Sequence, residues 1–409
     1  MRRASSPIPI SPGPLEPDTD VTSYRPDMTQ PNAHPNTHTN AALLTPYSLG
    51  RLSLPNRLVM APMTRYRGTE DGRPQPIVAD YYAQRTGAGL IVTEGLWPSP
   101  AGQSGWRIPG MANAAQATAW REVTDAVHAA GGRIFAQLMH GGRLGHPEGR
   151  VDGSRPAGPS AVAAPERVAL RDGSRQPAAV PREMTEEDIA RTFDEYAEAA
   201  RLAVTTAGFD GVELHGANSY LPHQFLADNT NLRTDRWGGS PANRRRFPLR
   251  LVRAVADAVG AERTALRLSP GNPQFGMVEE DPAPVYRPLV EELDGLGLAY
   301  LHLTDNDRYP ALADLGPRWS GTLVANVGEN GPATTRARGE ALIAEGRAQL
   351  VSYGRAFLAN PDLPARFAAG APLNAIDRDG LYGWGPEGYT DYPTLADGPG
   401  PAALADAGR

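Results

Sequence analysis

Short runs of apolar residues recur along the chain from Leu43 onward, separated by polar or glycine-rich stretches. Continuous apolar runs of about four to eight residues are typical of strands that are buried on both faces of a sheet. Eight such runs occupy residues 57–62, 90–95, 133–140, 211–216, 264–270, 299–305, 322–328 and 348–355. We therefore predict eight buried strands.

The segments between these runs carry helical periodicity, most clearly at residues 115–130, 186–206 and 334–345. The second of these segments opens with Met184-Thr185-Glu-Glu-Asp, which is typical of a capped helix N-terminus. Strands that alternate with helices predict an α/β protein in which eight parallel strands close into a (β/α)₈ TIM barrel. The sequence therefore favours one large barrel over two separate domains.

Two connections depart from this simple unit. Residues 306–321, which form the sixth connection, show no clear helical pattern. Residues 141–182, after the third strand, are rich in Pro and Gly and are too long for a plain connection. We expect this longer segment to form a lid or hairpin insertion over one end of the barrel.

The two ends of the chain differ from the barrel in composition. Residues 1–40 are rich in Pro, Ser, Thr and Asn without periodicity, which predicts a disordered tail. The barrel is assigned to residues 41–396, and residues 397–409 are expected to be flexible. Arg2-Arg3 is not followed by an apolar segment, and no run reaches the ~18 apolar residues of a membrane span, so we expect a cytoplasmic protein without a membrane partner.

Composition removes several classes of chemistry. The 409 residues carry a net charge of −6 and no broad basic run, which argues against nucleic acid as a partner. The sequence contains no lysine, so a Schiff base and a Walker-type phosphate lysine are excluded. It contains no cysteine, which excludes disulfides, thiolate zinc sites and iron–sulfur clusters, and its histidines show no metal-binding spacing.

Polar or glycine residues gather at the carboxyl ends of the predicted strands. In a TIM barrel this is the face on which active sites are built. A whole ring of such residues on one face is difficult to explain by solvation alone. The ring consists of Thr64, Gly95, Gln137, His140, His215, Arg267, Thr304, Gly328 and Arg355.

The end of the fourth predicted strand and the residues after it combine three side chains with related chemistry. His215 and Asn218 can both donate to one carbonyl oxygen, and Tyr220 carries an O–H that can be given to a neighbouring carbon. Such groups suit a reaction that develops negative charge on an oxygen. The alternative reading is that His215 and Tyr220 are packed core residues.

A phosphate site is indicated after the last two strands. Gly328 and Gly354 would allow backbone N–H groups to approach a phosphate, and Arg355 would add a charged fork. TIM barrels frequently bind phosphate at this place. The alternative is that these are turn glycines beside a surface arginine. No Gly-x-Gly-x-x-Gly opens a helix after the first strand, so a Rossmann dinucleotide site is not supported.

From Leu43 to Leu395 the chain resembles the old yellow enzymes, the FMN-dependent ene-reductases of the NADH:flavin oxidoreductase group. The resemblance rests on segments that occur in order: LPNRLVMAPMTRYR, IVTEG, FAQLMHGGR, PREMTEEDI, residues 215–247, LVSYGRAFLANPDL and DRDGLYGWGPEGYTDYP. Single motifs such as YGR are weak, but the block at 215–247 is highly specific.

The resemblance implies a set of residues that bind FMN. Thr64 and the Gly95 backbone would contact the O4 edge of the flavin, and Gln137 and Arg267 would contact its pyrimidine edge. The phosphate would be held by Arg355 with the backbone of Gly328 and Gly354, in a register uncertain by a residue or two. The full implied set is Met63, Thr64, Gly95, Gln137, Arg267, Gly328, Gly354 and Arg355.

The resemblance also implies the substrate site. His215 and Asn218 would bind the carbonyl of an enone or enal, Tyr220 would protonate its alpha carbon, and Tyr382 would line the pocket. NADPH or NADH would first reduce the flavin in the same pocket and then leave. Many relatives carry tryptophan where this chain has Met139, which predicts an altered substrate range. Leu381, where some relatives have phenylalanine, is expected to act in the same way.

Two alternatives stay open at this point. A TIM-barrel lyase or isomerase acting on a phosphorylated metabolite would also use Arg355 and the glycines, although it would not explain Gln137 with Arg267. A flavin-binding barrel without ene-reductase turnover would retain the cofactor residues but leave Tyr220 idle. The sequence leaves the donor, NADPH or NADH, undecided, and is compatible with a monomer or a homodimer.

Overall fold

The computed structural model describes residues 41–172, 174–328 and 334–398. The tail predicted at 1–40 lies outside the described residues, as does all but the first two residues of the end predicted at 397–409. Within the described part of the chain, no helix combines the length and the apolar character that crossing a membrane requires.

Eight parallel strands close into a barrel, as predicted. The strands along the chain are β1 (Tyr47–Leu49), β2 (Leu52–Leu54), β3 (Leu58–Met60), β4 (Leu90–Leu96), β5 (Ile134–Leu138), β6 (Ala157–Gly158), β7 (Arg167–Ala169), β8 (Arg175–Pro177), β9 (Arg182–Glu183), β10 (Gly211–Gly216), β11 (Thr264–Leu268), β12 (Tyr300–Thr304), β13 (Leu323–Asn326) and β14 (Leu350–Tyr353). The barrel runs β3-β4-β5-β10-β11-β12-β13-β14, and β14 pairs with β3 to close it. Each predicted strand is confirmed.

Helices cover the outside of the barrel. They are α1 (Ile77–Ala83), α2 (Ala114–Ala129), α3 (Glu186–Arg201), α4 (Leu221–Leu226), α5 (Pro241–Arg244), α6 (Arg246–Val259), α7 (Ala283–Asp294), α8 (Ala311–Asp314), α9 (Arg336–Ala344), α10 (Arg355–Ala359) and α11 (Leu363–Ala369). At the start of α3, Thr185 and Asp188 form the expected capping box. The sixth connection holds only the four-residue α8 and a 3₁₀ turn, since Pro310 and Pro317 interrupt a longer helix.

The barrel interior changes from apolar to polar along its axis. At the amino end, Leu49 and Leu54 of the β1–β2 hairpin pack against inward-facing residues such as Val59, Phe135 and Tyr300. One step further along the strands, the interior residues are Gln137, Glu213, His302 and Ser352, all of them buried. The hairpin therefore plugs the bottom of the barrel, and polar chemistry is confined to its upper half.

The insertion after β5 forms the predicted hairpin. β7 and β8 pair antiparallel, and β6 pairs with β9. The buried Arg143 anchors this insertion, because its guanidinium donates to the carbonyl oxygens of Phe275 at 2.7 Å and Ala163 at 3.3 Å. The lid is thus tied to the loop that follows β11.

Two buried arginines attach the C-terminal segment 380–389 to the barrel. Arg65 donates to the Gly388 carbonyl at 2.6 Å, and Arg67 donates to the Gly380 carbonyl at 3.1 Å. Both guanidinium groups also lie over the ring of Tyr389, Arg67 at 4.1 Å from its centroid. This attachment brings Tyr382 to the mouth of the barrel.

The Arg67 contacts predict how Arg67→Met will behave. The substitution removes a charged donor from the carbonyl oxygens of Gly380, Gly385 and Glu387, and a hydrogen bond to a charged group contributes roughly 1.5–3 kcal/mol. We expect amide hydrogens of residues 380–389 to exchange at least about tenfold faster, measured by hydrogen–deuterium exchange. The control is Arg73→Met, which removes an exposed arginine paired with Asp71. Equal amide exchange rates of residues 380–389 in the two variants would contradict the claim that Arg67 attaches this segment to the barrel.

Candidate active site

A cavity of about 950 Å³ opens at the carboxyl ends of the barrel strands, beneath the lid. It is bounded by the loops after β3, β4, β5, β10, β11 and β14 and by the C-terminal segment. Every residue assigned to the implied FMN and substrate sites lines it: Met63, Thr64, Gly95, Gln137, Met139, His215, Asn218, Tyr220, Arg267, Gly328, Gly354, Arg355 and Tyr382. Leu381 lines it as well.

Two members of the predicted polar ring do not line the cavity. His140 is buried behind the turn after β5, where its Nδ1 accepts a hydrogen bond from the Gly142 N–H at 3.0 Å. Burial, and then the nearby charge of Arg150, lower the pKa of His140 to about 3, so the ring is neutral. Thr304 lies beside Arg267, at 3.5 Å from its guanidinium. His140 and Thr304 therefore contact the Gly142 backbone and Arg267, respectively, and neither lines the cavity.

The turn after β10 brings the three reactive side chains together. Asn218 and Ser219 both adopt left-handed backbone angles, with φ of 53° and 68°. This conformation is costly for most residues but is tolerated by asparagine. It is held by hydrogen bonds from the Asn218 N–H to Ser269 Oγ at 2.9 Å and from the Ser219 N–H to His223 Nδ1 at 3.1 Å. As a result, the rings of His215 and Tyr220 lie with their centroids 4.6 Å apart.

His215 is a neutral hydrogen-bonding group. Burial, followed by the charge of Arg267, holds the pKa of His215 well below its usual range. Its Nδ1 atom is buried and finds no hydrogen-bond partner among the described residues. A neutral imidazole carries one N–H and one acceptor nitrogen. It can therefore donate to a carbonyl oxygen without adding a charge to the cavity.

A buried carboxylate fixes the orientation of Gln137. The Nε2 atom of Gln137 donates to Glu213 at 2.8 Å. The Oε1 atom of Gln137 therefore faces away from Glu213. Glu213 also pairs with His302 Nδ1 at 2.9 Å, and His302 Nε2 lies 2.9 Å from Ser352 Oγ. Burial alone would raise the pKa of Glu213, but His302, Arg267 and Gln137 outweigh burial and lower it. Glu213 is therefore an anion.

No prediction from the sequence placed Glu213, His302 or Ser352 in the site. A signal for them was present, because a glutamate in the middle of a buried strand needs partners. Glu213 lies two residues before His215, and side chains two apart on a strand share a face. His302 and Ser352 occupy corresponding interior positions on β12 and β14.

The far end of the cavity has the features of the predicted phosphate site. Gly354 directly precedes α10, and Arg355 donates to the Gly328 carbonyl. A side chain at Gly354 would place its Cβ 3.4 Å from the sulfur of Met63. The five-residue α10 begins at Arg355, and α11 follows it from Leu363. Residues 329–333, which directly follow Gly328, lie outside the described residues.

Met139 and Tyr382 both line the cavity, but they differ in exposure. Met139 is buried, and its sulfur would lie 2.4 Å from a Cβ added at Gly95. Glycine is therefore needed at position 95 while methionine occupies position 139. Tyr382 is 65% exposed and packs edge to face with Tyr66, with ring centroids 5.5 Å apart. Its exposure places it at the entrance.

The donor set of this cavity fits the FMN that the sequence resemblance implies. Gln137 and Arg267 offer an acceptor and a cation on one side, as a heterocycle with both N–H and carbonyl groups requires. Arg355 and the two glycines offer a cation and backbone groups at the far end, as a phosphate requires. Among the described residues, no cluster of His, Asp or Glu has the arrangement of a metal site.

Comparison with known proteins agrees with this reading. Residues 42–374 match the model of the NADH:flavin oxidoreductase / NADH oxidase family. The chain is 40% identical over 382 residues to 12-oxophytodienoate reductase 7 of Oryza sativa subsp. japonica, a match covering 87% of this chain and 95% of that protein.

Two solved structures are similar over most of their length. Morphinone reductase in complex with tetrahydroNAD shares 43% identity with a TM-score of 0.82, covering 87% of this chain and 98% of that one. The old yellow enzyme homologue from Zymomonas mobilis shares 39% identity with a TM-score of 0.82, and the match covers 86% of this chain and 99% of that one. The chain, with its closed barrel and its His215–Tyr220 turn, belongs to the NADH:flavin oxidoreductase / NADH oxidase family, in which the old yellow enzymes are found.

Proposed function

We propose that the protein is an FMN-dependent ene-reductase that uses NADPH or NADH to reduce the activated C=C bond of α,β-unsaturated carbonyl compounds. The observation that carries this proposal is the meeting of His215, Asn218 and Tyr220 in a cavity with Gln137 and Arg267. When bound, FMN would supply the hydride chemistry that links the nicotinamide donor to the beta carbon of the alkene, through its N5 atom.

The cofactor is assigned to the lower part of the cavity. Gln137 and Arg267 would hold the pyrimidine edge, and Thr64 and the Gly95 backbone would hold the O4 edge. Arg355 and the backbone of Gly328 and Gly354 would hold the phosphate, and Met63, whose sulfur lies near Gly354, would contact the cofactor as well. The positive charge of Arg267 stabilises negative charge near it in the low-dielectric interior.

The substrate is assigned to the space beside His215 and Asn218. Both donate to the carbonyl oxygen, which draws electron density from the beta carbon and stabilises the enolate-like oxygen as it forms. Tyr220 then gives its proton to the alpha carbon. Phenols are protonated at neutral pH because their ordinary pKa is about 10. The enzyme thus places donors at the oxygen and a proton at the carbon.

Family membership argues against the alternative of a phosphate-binding lyase or isomerase. The alternative of a flavin-binding barrel without ene-reductase turnover is tested by measuring whether the protein reduces an enone. A cytoplasmic location and a monomeric or homodimeric state belong to this proposal, to be checked by cell fractionation and size-exclusion chromatography.

The test of the proposal is an anaerobic titration of the purified protein, followed by its visible spectrum. We expect a yellow protein that bleaches with NADPH and regains its colour with 2-cyclohexenone. Bleaching without recovery would retain the flavin but overturn the alkene substrate. A colourless protein that takes up no added FMN would overturn the proposal altogether.

Tyr220→Phe should separate the two half-reactions. Loss of a positioned proton donor costs typically about 10²–10⁴ in rate, so we expect kcat with 2-cyclohexenone to fall at least about 100-fold. Bleaching by NADPH should continue, since it does not use the phenol. Stopped-flow absorbance measures both steps. Tyr47→Phe, whose hydroxyl bonds Thr322 at the amino end of the barrel, is the control. Unchanged turnover in Tyr220→Phe would refute Tyr220 as the proton donor.

Glu213→Gln should weaken cofactor binding. The new amide at position 213 can donate to Gln137 Oε1, so Gln137 is no longer held in one orientation, and His302 loses its anionic partner. Since a hydrogen bond to a charged group contributes roughly 1.5–3 kcal/mol, we expect the FMN Kd to rise about tenfold or more, measured by flavin fluorescence. Glu262→Gln, at the exposed amino end of β11, is the matched control. An unchanged Kd would contradict the role given to Glu213.

Met139→Trp should narrow the substrate range. Met139 already lies against Gly95, so a larger side chain must extend into the cavity. We expect the KM of bulky substituted enones to rise about tenfold while 2-cyclohexenone is little affected, since clashes of this kind typically cost about 1–3 kcal/mol. Met139→Leu, which conserves volume, is the control. Equal selectivity in all three proteins would refute a specificity role for Met139.

A further inference from the structure

Asn272 lies behind Asn218, in the loop that follows β11, and is 1% exposed. Its Nδ2 atom donates to the Oδ1 atom of Asn218 at 3.1 Å. Because Asn272 is absent from the residues lining the cavity, its contact with the site passes through Asn218.

The direction of this hydrogen bond is determined by the backbone. The N–H of Gln274 donates to Asn272 Oδ1 at 3.0 Å. A backbone N–H can only donate, so the oxygen of Asn272 must face it and the NH₂ group must face Asn218. An NH₂ group can only donate, so Asn218 must present its own oxygen to Asn272. The NH₂ group of Asn218 therefore faces away from Asn272.

The same loop also fixes the backbone of Asn218. Ser269 Oγ accepts from the Asn218 N–H at 2.9 Å, and the Asn272 N–H donates to the Ser269 carbonyl at 3.2 Å. The left-handed backbone of Asn218 and the orientation of its amide are thus both set by residues 269–274.

We infer that Asn272 is a positioning residue that makes Asn218 a hydrogen-bond donor toward the substrate carbonyl. This inference rests on the proposed function. The oxygen and nitrogen ends of an asparagine amide have nearly the same shape, so packing alone does not choose between them. With its oxygen turned to the substrate, Asn218 would repel a carbonyl on which negative charge develops. Asn272 selects the productive orientation.

The experiment is a double-mutant cycle with Asn272→Asp and Asn218→Ala in the FMN-loaded enzyme. A carboxylate at 272 still accepts from Gln274 but can only accept from position 218, which turns the amide of Asn218 around. We expect kcat/KM for 2-cyclohexenone to fall about 100-fold, the effect of losing one oxyanion donor. In the Asn218→Ala background, Asn272→Asp should have no further effect. Asn243→Asp, on the outer α5, is the matched control.

The outcomes separate the inference from the proposed function. Wild-type enzyme that does not reduce 2-cyclohexenone overturns the proposed function. Active wild type with an unaffected Asn272→Asp variant overturns only the inference, as does an equal loss in the Asn218→Ala background. If Asn272→Asp does not retain FMN, Asn272→Ala replaces it in the cycle, with a smaller loss expected that is again absent without Asn218.

Discussion

The pairing of the last barrel strand with the first is the constraint on which the site depends. Hydrogen bonds between β14 and β3 align Val351 with Leu58 and Tyr353 with Met60, which closes the sheet. Closure places the carboxyl end of every strand on one rim and turns alternate side chains inward. The Thr64 loop and Arg355, far apart in sequence, become neighbours on that rim for this reason alone.

Inside the barrel, chemistry is organised by hydrogen-bond direction. The anion Glu213 can only accept, which determines the orientation of Gln137. The N–H of Gln274 can only donate, which determines the orientation of Asn272 and then of Asn218. Gln137 and Asn218 are thus both oriented by groups that can act only as an acceptor or only as a donor. Such buried networks are stable only when every member is satisfied, and they give a site its fixed geometry.

The sequence allowed the barrel, its eight strands and the members of the cavity lining to be predicted, because apolar runs and strand-end residues are local features. His140 shows the limit of that reasoning, since position at a strand end does not reveal the direction of a side chain after the strand. The contributions of Glu213 and Asn272 could not be assigned because they depend on partners from distant segments. Their roles follow from which atoms meet, and a one-dimensional pattern does not contain that information.

The seam between β14 and β3 has a consequence for how the chain reaches its native state. A barrel that lacks this pairing exposes two strand edges, and unpaired edges of apolar strands promote aggregation. Residues on either side of this seam line the same cavity: Met63 and Thr64 follow β3, and Gly354 and Arg355 follow β14. A ligand bound by both sides stabilises the closed form by mass action. Riboflavin supply during expression would then determine how much of the chain matures into soluble protein, as well as how much of it is yellow.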